Sequence, residues 1–180
     1  MENMEPVIRE VAPGIIVAMA EDQMCGTWVL YHGVSCFIVE MPPKAIDFAP
    51  KLKTYFDTVF SDDVYETNIE GEPLYLIHAP KHSSSDVMIV FRGTMITGDW
   101  WLGWGDPNWN KVPPATSIKS IDRILDFLKN HKYVVTRLFS AHANDFRYGV
   151  NAESVLLETR RYHEMKLEQK QKKEECLGKG

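Results

Sequence analysis

The chain has 180 residues, of which 44% are hydrophobic and 25% are charged, with a formal net charge of −5 at pH 7. This length suits one domain with a sizeable core, and the composition is ordinary for a soluble globular protein. An acidic chain offers no electrostatic reason to bind nucleic acid or an anionic membrane surface, so neither is an expected partner.

The cysteines and the first residues bear on the cellular compartment. Three cysteines, an odd number without C-x-x-C spacing, argue against a disulfide framework or a zinc knuckle. We expect a reducing, cytoplasmic setting, with Cys25 and Cys36 buried as small apolar residues. The N-terminus is acidic and interrupted by proline, unlike a signal peptide, and no apolar run approaches the ~18 residues of a membrane span.

The first half of the chain predicts two β-hairpins and a helix. A Pro-Gly turn divides residues 7–19 into two strands, and Gly33 separates strands predicted at 27–32 and 34–40. Apolar residues recur at helical spacing over residues 45–60, which predicts a helix there.

The middle of the chain predicts three strands and a long loop. Residues 61–73 are polar and contain breakers, which indicates a turn region. The predicted strands that follow are 74–79, 87–92 and 94–99. Residues 100–116 lack periodicity and are rich in tryptophan, glycine and proline, which indicates an ordered aromatic loop.

The last part of the chain predicts two helices around a strand. Residues 117–130 carry one apolar stripe, and Ser117 and Ser120 are both candidate N-caps. The segment YVVTRLFSAH predicts a last strand, and a charged helix is expected over 151–172, with Asn151 as its cap.

Strands interspersed with helices favour an α/β or α+β layered domain. We assign residues 1–174 to this single domain and expect a disordered tail at residues 175–180.

Three residues of metal-binding type come directly after predicted strands or turns. His82 closes a turn before a serine-rich segment, Asp99 ends an apolar run, and His142 follows the last strand. Two imidazoles and a carboxylate suit a mononuclear zinc or iron site with an open position for water. Each of the three is alternatively an ordinary turn or surface residue.

Other side chains near these positions have two interpretations each. His78 is expected to pack against or cap the turn rather than bind metal, and Asp86 either orients His82 or bonds within the turn. The tryptophans after Asp99 form either the wall of a pocket or part of the core: Trp100, Trp101, Trp104 and Trp109.

These segments resemble the metallo-β-lactamase superfamily of metallohydrolases. LIHAPKHSSSDVMIVFRGTMITGDWW is similar to the family's histidine turn and the strand that ends in its metal-bridging aspartate. LFSAHAND resembles the late strand whose terminal histidine completes the site, and VAPGIIVAM and TWVLYHGVSCFIVEMPP resemble the opening hairpins. The resemblance implies an αβ/βα sandwich with His82, Asp99 and His142 as ligands of zinc, or iron, and His82 and Asp99 as catalytic residues.

The chain also departs from the family pattern. The signature H-x-H-x-D-H is absent, and Lys81 stands where the family usually has glycine before the histidine. We therefore expect an incomplete sandwich whose metal-activated water attacks a small-molecule ester, lactone, amide, thioester or phosphodiester.

Two non-catalytic alternatives remain open at this point. One is a degenerate scaffold that exposes core surface and therefore either forms a homo-oligomer or is poorly soluble. The other is a small-ligand binding module that uses the tryptophan-rich loop.

Overall fold

The computed structural model describes residues 7–19, 27–39, 64–101, 112–139, 147–148 and 151–177. Within these ranges the strands are β1 (Val7–Ala12), β2 (Ile15–Met19), β3 (Thr27–His32), β4 (Ser35–Val39), β5 (Val64–Ile69), β6 (Glu72–His78), β7 (Val87–Phe91), β8 (Thr94–Ile96), β9 (Arg137–Phe139) and β10 (Arg147–Tyr148). The helices are α1 (Pro114–Asn130), α2 (Ala152–Leu177) and a short 3-10 helix (Gly98–Trp100).

The described strands form two sheets. The first has four antiparallel strands in the order β1-β2-β3-β4, and the second has six in the order β10-β9-β8-β7-β6-β5. Neighbours in the second sheet are antiparallel except for β8 and β9, which are parallel. The parallel pair requires a crossover connection, and α1 lies within it.

Among the described residues, the six-stranded sheet lies between the four-stranded sheet and the helices. Because side chains alternate along a strand, Leu74 and Leu76 of β6 pack in the core shared with the four-stranded sheet. Tyr75 and Ile77 pack instead in a second core with the helices. Burial on both faces explains why β6 and β7 are nearly continuous apolar runs in the sequence.

The helices cover the outer face of this sheet. Pro114 occupies the first turn of α1, where its missing N–H costs no intrahelical bond, and Ile121, Ile124 and Phe127 form the buried stripe. The buried residues of α2 all lie in its first half, from Ala152 to His163. The strongly charged remainder of α2 is exposed, as its composition predicts.

Both predicted hairpins in the first half are confirmed. Gly14 and Gly33 occupy their turns with φ of 78° and 58°, a conformation that favours glycine. The predicted helix over 45–60 lies outside the described residues. Cys36 is exposed on the edge strand β4, so the expectation that it is buried was wrong, and Cys25 lies outside the described residues.

Several predicted boundaries were wrong. Residues 61–73 contain β5, which was missed because it is an edge strand whose outer positions are polar. The strand predicted to run to residue 99 ends at Ile96, and the last strand is reduced to β9 among the described residues. The helix predicted over 151–172 extends to Leu177.

The predicted N-caps of α1 were also wrong. The helix begins at Pro114, and both Ser117 and Ser120 are buried inside it. By contrast, Asn151 caps α2, since its side-chain oxygen accepts a hydrogen bond from the Ser154 amide at 3.3 Å.

None of the described helices combines the length and the hydropathy that crossing a bilayer requires.

Candidate metal centre

The three predicted ligands follow strands that end at one edge of the six-stranded sheet. Strands β6 and β8 are both antiparallel to β7, so they run in the same direction, and β9 runs parallel to β8. His82 follows β6, Asp99 lies in the 3-10 helix after β8, and His142 comes after β9 in sequence. Of these, the structure describes His82 and the backbone of Asp99, whereas His142 lies outside the described residues.

Residues 79–86, here called the histidine loop, are held by the carboxylate of Asp86. The backbone amides of Lys81 and Ser83 donate to its Oδ2 at 3.0 and 2.9 Å, and the Ser83 hydroxyl donates to Oδ1 at 2.6 Å. The Ala79 amide donates to the Asp86 carbonyl at 2.8 Å and closes the loop. Asp86 therefore fixes the backbone on both sides of His82, which is partly buried.

His78 belongs to the support of this loop. Its Nε2–H donates to the Ser84 carbonyl at 3.0 Å, which confirms the expectation that it caps the turn. Helix α1 holds the same region, because Arg123 donates to the His78 carbonyl at 2.6 Å and Ser120 donates to the Pro80 carbonyl at 2.8 Å. The start of the histidine loop is thus bonded to the helical layer.

Lys81 is fully buried, with 0% of its surface exposed. Its ammonium donates to the Trp100 carbonyl at 2.6 Å and lies 5.2 Å from the centre of the Trp100 ring, within cation–π range. Sequence reasoning gave this lysine no role, since a lysine beside three serines is typical of a solvated turn. The distant partner Trp100 is visible only in the fold.

Residues 97–101, here called the aspartate turn, are fixed by Thr97. Its amide donates to the Phe139 carbonyl at 2.8 Å. Its buried hydroxyl lies 3.2 Å from the same oxygen and 3.3 Å from the Trp101 carbonyl, so it can donate to either. The Trp100 amide donates back to the Thr97 carbonyl at 3.0 Å. The backbone that carries Asp99 is therefore tied to the end of β9.

Trp100 and Trp101 are core residues rather than the wall of an open pocket. Both are buried and pack in the cluster between the six-stranded sheet and the helices. The indole nitrogen of Trp100 has no hydrogen-bond partner among the described residues. Trp104 and Trp109 lie outside the described residues.

Two glutamates at the β-hairpin turns have lowered pKa values. Hydrogen bonds from the Gly14 amide and then the Tyr31 hydroxyl lower the pKa of Glu10. A hydrogen bond from the Ser35 hydroxyl, with a weaker one from the Val34 amide, lowers the pKa of Glu70. These carboxylates stabilise turns.

In the described part of the chain, no three His, Cys, Asp or Glu side chains come together as a metal-binding group.

No protein-family model matches the chain, and no curated protein matches it. Several solved structures do resemble it. A metallo-β-lactamase family protein from Thermus thermophilus aligns with a TM-score of 0.51 and 12% identity, covering 91% of this chain and 79% of its own. The protein ETHE1 from Myxococcus xanthus aligns with a TM-score of 0.49 and 11% identity, covering 87% of this chain and 83% of its own. An archaeal metallo-β-lactamase superfamily protein from Sulfolobus tokodaii aligns with a TM-score of 0.47 and 11% identity, covering 77% of this chain and 80% of its own.

The likeness to the Thermus protein shows the fold: this chain has a metallo-β-lactamase-like fold. The predicted α+β sandwich is thereby confirmed, with two sheets packed face to face and helices on the outer face of the larger one.

Proposed function

We propose that the chain binds one divalent metal ion, Zn²⁺ or Fe²⁺, through His82, Asp99 and His142 and uses it for hydrolysis. The substrate class is a small molecule with an ester, lactone, amide, thioester or phosphodiester bond. One observation carries this proposal: the three positions follow the carboxyl ends of β6, β8 and β9, which share one edge of the sheet. Loops at the end of a rigid sheet are where catalytic groups usually gather.

The chemistry of this donor set fits such an ion. Two neutral imidazoles and one carboxylate match the ligands that mononuclear zinc and iron sites use, and they leave positions open for water and substrate. The carboxylate of Asp99 would offset part of the ion's charge. When bound, the metal supplies a Lewis acid and lowers the pKa of a water molecule.

The chain's own contribution is to orient the ligands before the ion arrives. Asp86 bonds the amides on either side of His82, and Thr97 bonds the backbone just before Asp99. Such supporting hydrogen bonds fix ligand orientation in metal sites and are costly to remove. Trp100 and Trp101 belong to the aspartate turn, and their side chains anchor it in the core between the six-stranded sheet and the helices.

Metal analysis of the purified protein tests this proposal. We expect about one zinc or iron ion per chain, the stoichiometry of a mononuclear site. His82→Ala, Asp99→Ala and His142→Ala should each lose it. His131→Ala is the matched control, because His131 is an exposed histidine at the end of α1. A wild-type chain that takes up no metal, or three variants that keep wild-type content, would refute the site.

A second candidate function is a scaffold that keeps the sandwich but does not catalyse hydrolysis. The observation that favours it is the absence of the H-x-H-x-D-H signature from the sequence. Hydrolysis assays on metal-loaded protein with ester, lactone, amide, thioester and phosphodiester substrates separate the two. Activity that disappears in Asp99→Ala supports the hydrolase, whereas bound metal without turnover on any of these substrates supports the scaffold.

We also propose a reducing compartment such as the cytoplasm. Cys36 and Cys176 are both free and exposed, and exposed free thiols persist where glutathione and thioredoxin keep them reduced.

A further inference from the structure

Lys81 joins the two described segments that carry proposed metal ligands. It directly precedes His82 in the histidine loop, and its ammonium donates at 2.6 Å to the carbonyl of Trp100, which directly follows Asp99. One side chain therefore connects the backbone beside one proposed ligand to the backbone beside another. These two segments follow β6 and β8, and since β7 lies between those strands, their ladder hydrogen bonds do not join them.

We propose that Lys81 is a positioning residue, which sets the separation of His82 and Asp99 before any metal binds. The inference rests on the proposed function only in taking those two residues as ligands. The link between the two segments is independent of that function and can be measured without metal.

The burial of Lys81 supports this role. A lysine with no exposed surface is unusual, because removing an ammonium from water is costly unless polar atoms surround it. Here the charge is directed to a backbone carbonyl and lies beside the face of the Trp100 ring. A hydrogen bond from a charged donor is stronger than a neutral one, and burial shields it from competing water.

Each of the two connected segments is also held by hydrogen bonds of its own. Asp86 bonds the backbone of the histidine loop and Thr97 bonds that of the aspartate turn, so the Lys81 contact joins two hydrogen-bonded segments. Removing it should therefore raise amide hydrogen exchange in these two segments. A rise confined to them distinguishes a positioning role from a general contribution to stability.

The test compares Lys81→Met with wild type and with Tyr133→Phe. Methionine keeps the length of the side chain but cannot donate. Tyr133→Phe is the matched control, because it removes the hydrogen bond that the Gly93 amide donates to the Tyr133 hydroxyl just before β8, away from the aspartate turn. Zinc affinity is measured by competition with a chromogenic chelator. Amide hydrogen exchange is measured on the metal-free proteins over residues 79–86 and 97–101.

We expect Lys81→Met to bind zinc roughly 10–100-fold more weakly, the usual effect of losing a group that orients ligands. Exchange should rise in both the histidine loop and the aspartate turn. Tyr133→Phe should lower the unfolding temperature yet leave zinc affinity and both exchange rates near wild type. If Lys81→Met does not fold, Lys81→Gln replaces it, since its shorter neutral side chain cannot reach the Trp100 carbonyl as lysine does.

The outcomes separate the two proposals. Wild-type protein that binds no zinc refutes the proposed function, while the exchange data on metal-free protein still decide the role of Lys81. Unchanged exchange over residues 97–101 in the lysine variant overturns the inference. So does a Lys81 variant that binds zinc as tightly as wild type does.

Discussion

Thr97 and Phe139 join the ends of two parallel strands. The amide of Thr97 donates to the Phe139 carbonyl at 2.8 Å, and the Thr97 hydroxyl lies 3.2 Å from the same oxygen. Asp99 and His142 come shortly after these two residues in the sequence. The contact therefore ties together the backbones that lead to two of the three proposed ligands.

Replacing Thr97 by valine should lower the free energy of unfolding by about 1–2 kcal/mol. Valine has nearly the same shape, so the change removes the buried hydroxyl, which can donate to the Phe139 or the Trp101 carbonyl, and little else. Urea unfolding of the purified variant measures the difference.

Thr94→Val is the matched control for this substitution. Thr94 is equally buried, but its hydroxyl has no hydrogen-bond partner among the described residues. Its replacement should leave stability unchanged or raise it by up to about 1 kcal/mol, because an unsatisfied buried hydroxyl is removed. Equal destabilisation by both substitutions would contradict this account of the aspartate turn.

Two serines of α1 give a similar pair. The hydroxyl of Ser120 donates to the Pro80 carbonyl at 2.8 Å and so bonds the helix to the histidine loop, whereas the buried hydroxyl of Ser117 has no partner among the described residues. Ser120→Ala should cost about 1 kcal/mol in unfolding free energy. Ser117→Ala should be neutral or stabilising, because alanine is also the better helix former. Thermal unfolding that ranks the two variants in the opposite order would be inconsistent with these contacts.

The β3–β4 turn should make stability sensitive to acid. Hydrogen bonds to Glu70, chiefly from the Ser35 hydroxyl, lower its pKa below the ordinary value of 4.5. A carboxylate with a lowered pKa stabilises the fold above its ordinary pKa, and this contribution is lost as the pH falls through the lowered value. Glu70→Gln and Ser35→Ala should therefore both lose less stability than wild type on acidification below about pH 4.5.

Unfolding temperature recorded as a function of pH checks this expectation. The unfolding temperature of both variants should fall less steeply in acid than that of wild type. The effect should be larger in Glu70→Gln, because the Val34 amide still bonds Glu70 after Ser35→Ala. If the unfolding temperature of Glu70→Gln falls as steeply with decreasing pH as that of wild type, other groups govern the acid response.

The parts of the fold that were predictable depend on local signals. Gly14 and Gly33 mark their hairpins because the turns need a positive φ, which glycine adopts more readily than other residues. Strand β5 was missed because this edge strand carries polar residues, so its pattern resembles that of a loop. Ser117 and Ser120 resemble caps in sequence, but Pro114 begins the helix earlier and packing buries both serines.

The sequence marks candidate ligands but does not show whether they come together. Asp99 stands out because it ends an apolar run, and His82 because it closes a turn before a serine-rich segment. Whether they approach one another depends on the strand order β6-β7-β8-β9 and on the parallel pairing of β8 with β9, which are tertiary facts. The contact of Lys81 could not be predicted from the sequence for the same reason. Its acceptor, the Trp100 carbonyl, lies 19 residues further along the chain, after β7 and β8.

The most direct test of the central claim is a crystal structure of zinc-soaked protein with anomalous data at the zinc edge. The proposed site predicts one strong peak, with a ring nitrogen of His82, a carboxylate oxygen of Asp99 and a ring nitrogen of His142 each about 2.0–2.2 Å away. Side chains that point apart, with no peak between them, would contradict the claim and leave the chain as a metallo-β-lactamase-like fold without this metal centre.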